Sequence, residues 1–490
     1  MESLSTFLLS LRRLWFENRG IIAICGVTII QIVFGTIFAA GNMTPYLTSY
    51  LRFNTTTDHN IEYTKSVWIF TTGKSAMGLF AIVGGLLSRV MHPRLVIILG
   101  CLCQCSSYFL AGWLVEYGFM STLLTYGLMQ GAGVGLGYPT CLKYAQMWFP
   151  SRNGLVTGVV MTGFGMGSFA FAFIQTAIVN PDNLSANVKI NDDMYFNQPE
   201  VLDNVQSCFY ITGVICGSFL VVGLLLMPVH KQFDQEKASK PKATSQAGNS
   251  AMNNCLENDI QTDSKYEDDS STGSDEITLQ TNPFSSGREV TPLEAMKMRS
   301  FWVMMFVVAV NEYGLILITN YYKPYGQTKI HSDSFLTMVG SIGSVANSAG
   351  RLCWGVLLDY SDFRTLAVTL TACQALLLMT MPISLSLSEP WAKVYFAIWV
   401  CGLNANGNAL FVLSPTTAGR AFGMKHFGVN YGLIYFVGGT MGVVFTEIIS
   451  AVLEHTSGYT SVFLIGGATS FTCELVVMLW NAKNMKGEVI

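Results

Sequence analysis

The sequence predicts an all-α integral membrane protein, with twelve transmembrane helices arranged as two pseudo-symmetric six-helix bundles. Three observations predict it. Residues of the AVILMFWYC type make up 51% of the 490 positions and only 12% are charged, about half the roughly 25% of a soluble domain. Twelve apolar runs each approach the ~20 residues that a helix needs to cross a bilayer. One long polar stretch divides these runs six and six, and local patterns recur between the two sets. This composition excludes a soluble enzyme and a disordered chain, and a formal net charge of −3 leaves no footprint for nucleic acid.

The runs fall near 20–41, 66–88, 95–115, 121–147, 154–178 and 207–229, then 300–321, 334–358, 365–387, 392–418, 428–453 and 459–481. The first is flanked by Arg12, Arg13 and Arg19 and carries no cleavable signal pattern. Residues 230–299 are rich in Ser, Thr, Asn, Asp, Glu and Lys. Such a stretch buries too little apolar surface to offset its ordering entropy, which predicts a disordered cytoplasmic linker. The expected organisation is a bundle over 1–229, the linker over 230–299 and a second bundle over 300–490.

Orientation follows from the cations in the loops. With both termini cytoplasmic, 19 Lys and Arg lie inside and 6 outside, the bias that fixes topology. The sequons at Asn42, Asn54 and Asn183 all map to outer ends or loops. The expected setting is the plasma membrane. Eleven of the 12 Cys lie in apolar runs and only Cys255 in a polar stretch, which is neither a disulfide framework nor a zinc pattern. Cys101, Cys103 and Cys105 read as small packing residues of a span. No metal or cofactor is expected.

The two halves repeat short patterns. The loop after the second span reads Gly84-Gly-Leu-Leu-Ser88-Arg89, and that after the eighth reads Gly355-Val-Leu-Leu-Asp359, with Arg364 five residues on. The fourth span carries Gly131, Gly133, Gly135, Gly137, Tyr138 and Pro139, and the tenth carries Gly402, Asn404, Asn406, Gly407 and Pro415. Asn153-Gly154 opens the fifth span and Asn430-Tyr431-Gly432 the eleventh. Matched repeats across two halves are a signature of carriers that rock one half against the other, and the glycines let helices approach closely.

At these loops the chain resembles the major facilitator superfamily. The paired glycine–acid–Arg loops are similar to its signature loop, with Ser88 standing where the first copy has an acid. Tyr138-Pro139 through Trp148-Phe149-Pro150-Ser-Arg152-Asn-Gly154 resembles the oxalate/formate-antiporter branch, and more loosely the monocarboxylate transporters. Asn347-Ser-Ala-Gly350-Arg351 resembles that branch's Asn–Gly–Arg element. The resemblance implies the major facilitator fold, an anion-binding role for Arg351, and gating roles for Gly84, Arg89, Gly355, Asp359, Arg364 and Arg152. The branch's second cation, a Lys, is replaced by Gly438, which fits a monocarboxylate better than a dianion.

The residues themselves point the same way. Arg351 lies eight positions before Asp359, about 12 Å up the helix, and a charge at that depth faces a cavity or a partner. Its guanidinium offers the forked donors that a carboxylate accepts, with Asn347 one turn away on the same face. The structural alternative pairs Arg351 with Glu312 or with backbone carbonyls. Lys74 either snorkels outward or faces the pathway as a second cation, while Lys143 is expected to snorkel. Glu312, mid-span, is costly unless paired or protonated, so it reads as a proton-coupling group or as the partner of Arg351. Tyr138 and Tyr435 complete the candidate substrate site.

The expected function is secondary transport of a small organic anion, with a proton or a counter-anion as the coupled partner. The alternative is a non-transporting receptor that signals through the linker. No P-loop Lys is present and no nucleophile–base pair can be assigned, so an enzyme is not expected.

Overall fold

The computed structural model describes residues 18–55, 61–184, 186–190, 193–228, 289–330, 332–455 and 459–479. The first half comprises α1 (Arg19–Phe34), α2 (Ala40–Phe53), α3 (Tyr63–Val90), α4 (Pro93–Leu114), α5 (Phe119–Thr122), α6 (Gln130–Trp148), α7 (Asn153–Val179) and α8 (Pro199–Leu225). A small antiparallel pair, β1 (Val188–Ile190) and β2 (Asp193–Tyr195), caps the loop before α8. The second half comprises α9 (Pro292–Ala295), α10 (Arg299–Ile316), α11 (Tyr322–Gln327), α12 (Asp333–Tyr360), α13 (Phe363–Thr380), α14 (Glu389–Gly407), α15 (Leu410–Phe422), α16 (Phe427–His455) and α17 (Tyr459–Leu479). A 3-10 turn, Gly35–Ala39, joins α1 to α2, and a π-helical turn, Leu123–Met129, joins α5 to α6.

Among the described residues, ten helices are long and apolar enough to cross a membrane. The expected spans near 121–147 and 334–358 are helical but fall outside this set, and packing explains why. Nearly all of α6 is enclosed by other helices, so it does not need an apolar surface. Helix α12 is amphipathic: Met338, Ile342 and Val345 are exposed, whereas Ser348 and Arg351 are buried. Elsewhere large apolar side chains such as Leu102, Trp113, Val214 and Val221 point outward, as a lipid-facing belt does.

Helices in a bilayer gain little from hydrophobic contact with one another, so close backbone approach and polar bonds hold them. A Cβ on Gly131 would lie 2.0 Å from the carbonyl oxygen of Gly73, so α3 and α6 meet backbone to backbone. Gln104 on α4 donates to the Val33 carbonyl at 2.9 Å and to Thr36 Oγ1 at 3.0 Å, tying it to the first span. The Asn42 amide donates to Ala172 O and Thr176 Oγ1 and so locks α2 to α7, which uses this sequon's side chain for packing. Asn54 and Asn183 are exposed.

Residues 229–288 lie outside the described residues, and the expected disorder of 230–299 does not extend to its last part. Val290 is fully buried; its N–H donates to Phe422 O at 3.1 Å and its carbonyl accepts from Asn430 Nδ2 at 3.1 Å. Thr291 and Glu294 form a capping box that starts α9. These few apolar and capping residues are enough to dock 289–298 on the second half. Because Pro228 and Glu289 flank the central segment, the face that carries them is called the linker side below.

Candidate functional site

Helix α3 brings Lys74 and α10 brings Glu312 to the plane where the two halves meet. Lys74 Nζ stands 2.5 Å from Glu312 Oε2, and the residues are 8% and 4% exposed. Glycines on α16 make the room: a Cβ on Gly438 would stand 3.1 Å from Glu312 Oε1, and one on Gly442 3.7 Å from Lys74 Nζ. The pair settles two open readings. Lys74 does not snorkel, and Glu312 is not the partner of Arg351. Lys74 thus lies against Gly439 and Gly442, and its partner Glu312 against Gly438. Lys143, expected to snorkel, is buried instead.

Arg351 on α12 is 3% exposed. Its Nη1 donates to Met161 O at 2.9 Å and its Nη2 to Asn408 Oδ1 at 3.1 Å, one contact from each half. Phe164 and Phe411 stack on the guanidinium with centroids 5.7 and 5.4 Å from its carbon, and Phe38 meets both rings edge-on. Among the described residues Arg351 has no acidic partner, and its buried Nε has no hydrogen-bond partner. Asn347, one turn earlier, is half-buried, and its Oδ1 has no partner among the described residues.

Tyr138 and Tyr435 lie between the charges. Tyr138 Oη and Tyr431 Oη are 2.8 Å apart across the two halves, and the Tyr138 and Tyr435 rings are 5.6 Å apart. The Tyr435 hydroxyl donates to Met77 Sδ at 3.3 Å, and both Glu312 and Arg351 lie within its electrostatic reach. The structure therefore gathers Arg351, Lys74, Glu312, Tyr138 and Tyr435 into one central region. A small, half-open pocket adjoins it, lined among others by Asn311, Glu312, Phe411, Ser414, Tyr431 and Tyr435.

A second constellation closes the linker side. The Asp359 carboxylate accepts from the backbone N–H groups of Gly154 and Leu155, both at 2.8 Å, and so caps the start of α7 in the other half. Arg420 on α15 donates to the same carboxylate at 2.7 Å and to Leu358 O at 2.8 Å. The contact requires bare backbones: Cβ atoms on Gly154 and Gly355 would stand 2.2 and 2.4 Å from each other's carbonyl oxygen. Across the molecule, Gly85 meets Gly428 in the same manner, but Ser88 only turns back to Gly85 O.

The other expected gating residues divide. Gly84 packs against the Leu136 carbonyl within its own half. Arg364 donates to Met478 O on α17, which places it away from Asp359, and Arg152 is exposed. Arg89 is exposed as well, within electrostatic reach of His426. Sequence reading missed Arg420, Asn408, Met161 and Glu289. Arg420 looked like one loop cation among many, and a backbone carbonyl such as that of Met161 leaves no residue-type signal.

The sequence profile of the Major Facilitator Superfamily matches residues 27–446. The chain belongs to that superfamily. Superfamily members similar to it include the apicoplast pyruvate carrier 1 of Toxoplasma gondii, 23% identical over 86% of this chain and 81% of that protein. The oxalate:formate antiporter of Oxalobacter formigenes is 23% identical over 79% of this chain and 75% of its own length. Among solved structures, the proton:xylose symporter XylE covers 96% of this chain and 98% of its own at a TM-score of 0.66 and 10% identity, a likeness of fold alone. The protein is thus a multi-pass membrane transporter and not an enzyme. The two relatives are a carrier and an antiporter, which lends the receptor alternative no support.

Proposed function

We propose that this transporter carries small organic monocarboxylates together with a proton, by alternating access between two pseudo-symmetric six-helix halves. The ten apolar helices with α6 and α12 make twelve crossings. The first half ends near residue 229 and the second begins near 300, with 289–298 docked on it. The cation bias puts the linker and both termini in the cytoplasm, and we place the protein in the plasma membrane.

The observation that carries the reading is the central charge set, two cations and one carboxylate. Empty, Lys74 and Arg351 with ionised Glu312 sum to one positive charge. Protonation of Glu312 dissolves its pair with Lys74 and leaves two buried cations. Uncompensated charges in such a site are costly, and one substrate carboxylate restores the sum to one. Loaded and empty carriers then match in charge, so each cycle moves one anion and one proton. Arg351 supplies forked donors; Asn347, Tyr138 and Tyr435 line the path. The carrier and antiporter among its relatives support the anion class, and the antiporter makes anion exchange the second reading.

Reconstituted vesicles test both. Wild-type uptake of a labelled monocarboxylate should rise with an inwardly directed proton gradient and be indifferent to membrane potential. Glu312→Gln should lose the gradient dependence, and Arg351→Lys should reduce uptake at least tenfold because a point charge lacks the fork. Uptake driven only by preloaded counter-anion would establish exchange, and normal transport by Arg351→Lys and Arg351→Ala would remove Arg351 from the site.

A further inference from the structure

The cavity beside Glu312 contains polar groups with different fates. The Tyr431 and Tyr435 hydroxyls are used by Tyr138 and Met77, and Glu312 is held by Lys74. Asn311 Nδ2 donates to Gly407 O at 2.7 Å, which fixes the amide and leaves Oδ1 as the acceptor. That Oδ1 and the Ser414 hydroxyl are both buried, have no hydrogen-bond partner among the described residues and belong to residues only 3% and 2% exposed. A buried acceptor without a donor is costly, and a hydroxyl group answers both residues at once. Its hydrogen goes to Asn311 Oδ1 while its oxygen accepts from the Ser414 O–H. A carbonyl can serve only Ser414, and a methylene serves neither.

We infer that the carried monocarboxylate bears a hydroxyl group, and that Asn311 and Ser414 select for it. This rests on the monocarboxylate reading above. Asn311, Ser414 and Glu312 line one pocket, so the hydroxyl subsite lies beside the charges that take the carboxylate. Phe411, which lines the cavity and stacks on Arg351 at 5.4 Å, forms a wall common to both subsites. Sites built to bond a substrate hydroxyl reject analogues that lack it far more strongly than apolar pockets reject a missing methylene.

Two matched series test the inference in vesicles reconstituted with the full chain: lactate, pyruvate and propionate, and 3-hydroxybutyrate, acetoacetate and butyrate. Each competes against uptake of a labelled monocarboxylate. In at least one series the hydroxy acid should compete tenfold or more better than the unsubstituted acid, with the oxo acid between. That ratio should fall toward one in Ser414→Ala, which removes an oxygen that bonds nothing among the described residues, and in Asn311→Leu. Because the readout is a ratio within each variant, a lower yield of folded protein cannot imitate it. Ratios below tenfold in both series, or a ratio that survives both substitutions, overturn the inference. If the oxo and unsubstituted acids compete as well as the hydroxy acids, the carrier reading stands and only this selectivity fails; if no acid competes, both fall.

Discussion

The two glycine contacts on the linker side share a plan and differ in chemistry. At one, Gly355 meets Gly154, and Asp359 caps α7 with two N–H bonds while holding Arg420. At the other, Gly85 meets Gly428 just as closely, but the side chain in the acid's place is Ser88, which bonds its own helix. A carboxylate does reach the turn before α16, from the end of the central segment: Glu289 accepts from the Lys425 N–H at 3.0 Å. Shape alone brings the halves together at both places. At the first contact a carboxylate cap across the two halves adds to the shape, so the Asp359 contact should dominate the stability of the closed linker side.

Breaking that contact gives the largest expected effect. Asp359→Ala removes two charge-assisted bonds to backbone N–H groups, each worth about 1.5–3 kcal/mol, together with the Arg420 pair and the favourable position of a carboxylate at the positive end of a helix. The closed linker side should lose about 3–6 kcal/mol, enough to shift an alternating-access equilibrium by more than tenfold. Hydrogen exchange over residues 153–160 should quicken and net transport should fall at least tenfold. Retained protection there would show that the glycine contact suffices alone. Arg420→Gln should act in the same direction but only a few-fold, because Arg420 is partly exposed and such pairs contribute about 1 kcal/mol or less.

Restoring the missing acid sharpens the comparison from the other side. Ser88→Asp should place a carboxylate at the start of α16, worth about 0.3–1 kcal/mol, and so over-stabilise closure. Transport should slow about two- to five-fold, and the double variant with Asp359→Ala should recover part of that variant's loss. Independent, additive effects of the two substitutions would mean that the contacts do not share one closing motion.

How much of this was legible before the fold depended on the range of each signal. Apolar run length located the ten helices that are long and apolar enough to cross, because it is a local property of about 20 residues, whereas the expected spans that became α6 and α12 fall outside that set. Arg351 was legible because depth in a span is measured along one chain. Its partners were not, since Met161 and Asn408 lie 190 and 57 positions away. The Lys74–Glu312 pair spans 238 positions; each residue was individually anomalous, yet nothing in one sequence couples them. The glycine–acid loop identified Asp359 but could not show that its target is a helix start in the other half. The docking of 289–298 was hidden because a single valine and a capping box do not alter the composition of a polar segment.

The smallest expected effect separates the two contacts by pH. His426 immediately precedes α16, and its carbonyl accepts from Val429 and Asn430. Burial, with Arg89, Lys425 and Lys143 nearby, holds its imidazole below the usual value of 6.5 against the opposing pull of Glu289. Where the packed state depresses a histidine, the unpacked state binds more protons at low pH. The stabilisation is therefore complete above about pH 6.5 and declines as pH falls through and below that value. Lowering the pH from about 7.5 to about 5.5 should accordingly speed hydrogen exchange over 424–430, once corrected for intrinsic rates, by a few-fold in the wild type. The same step should leave His426→Gln unchanged over that segment, because the variant has no imidazole to protonate. An equal response in both proteins would remove His426 as the source of the pH sensitivity at this contact.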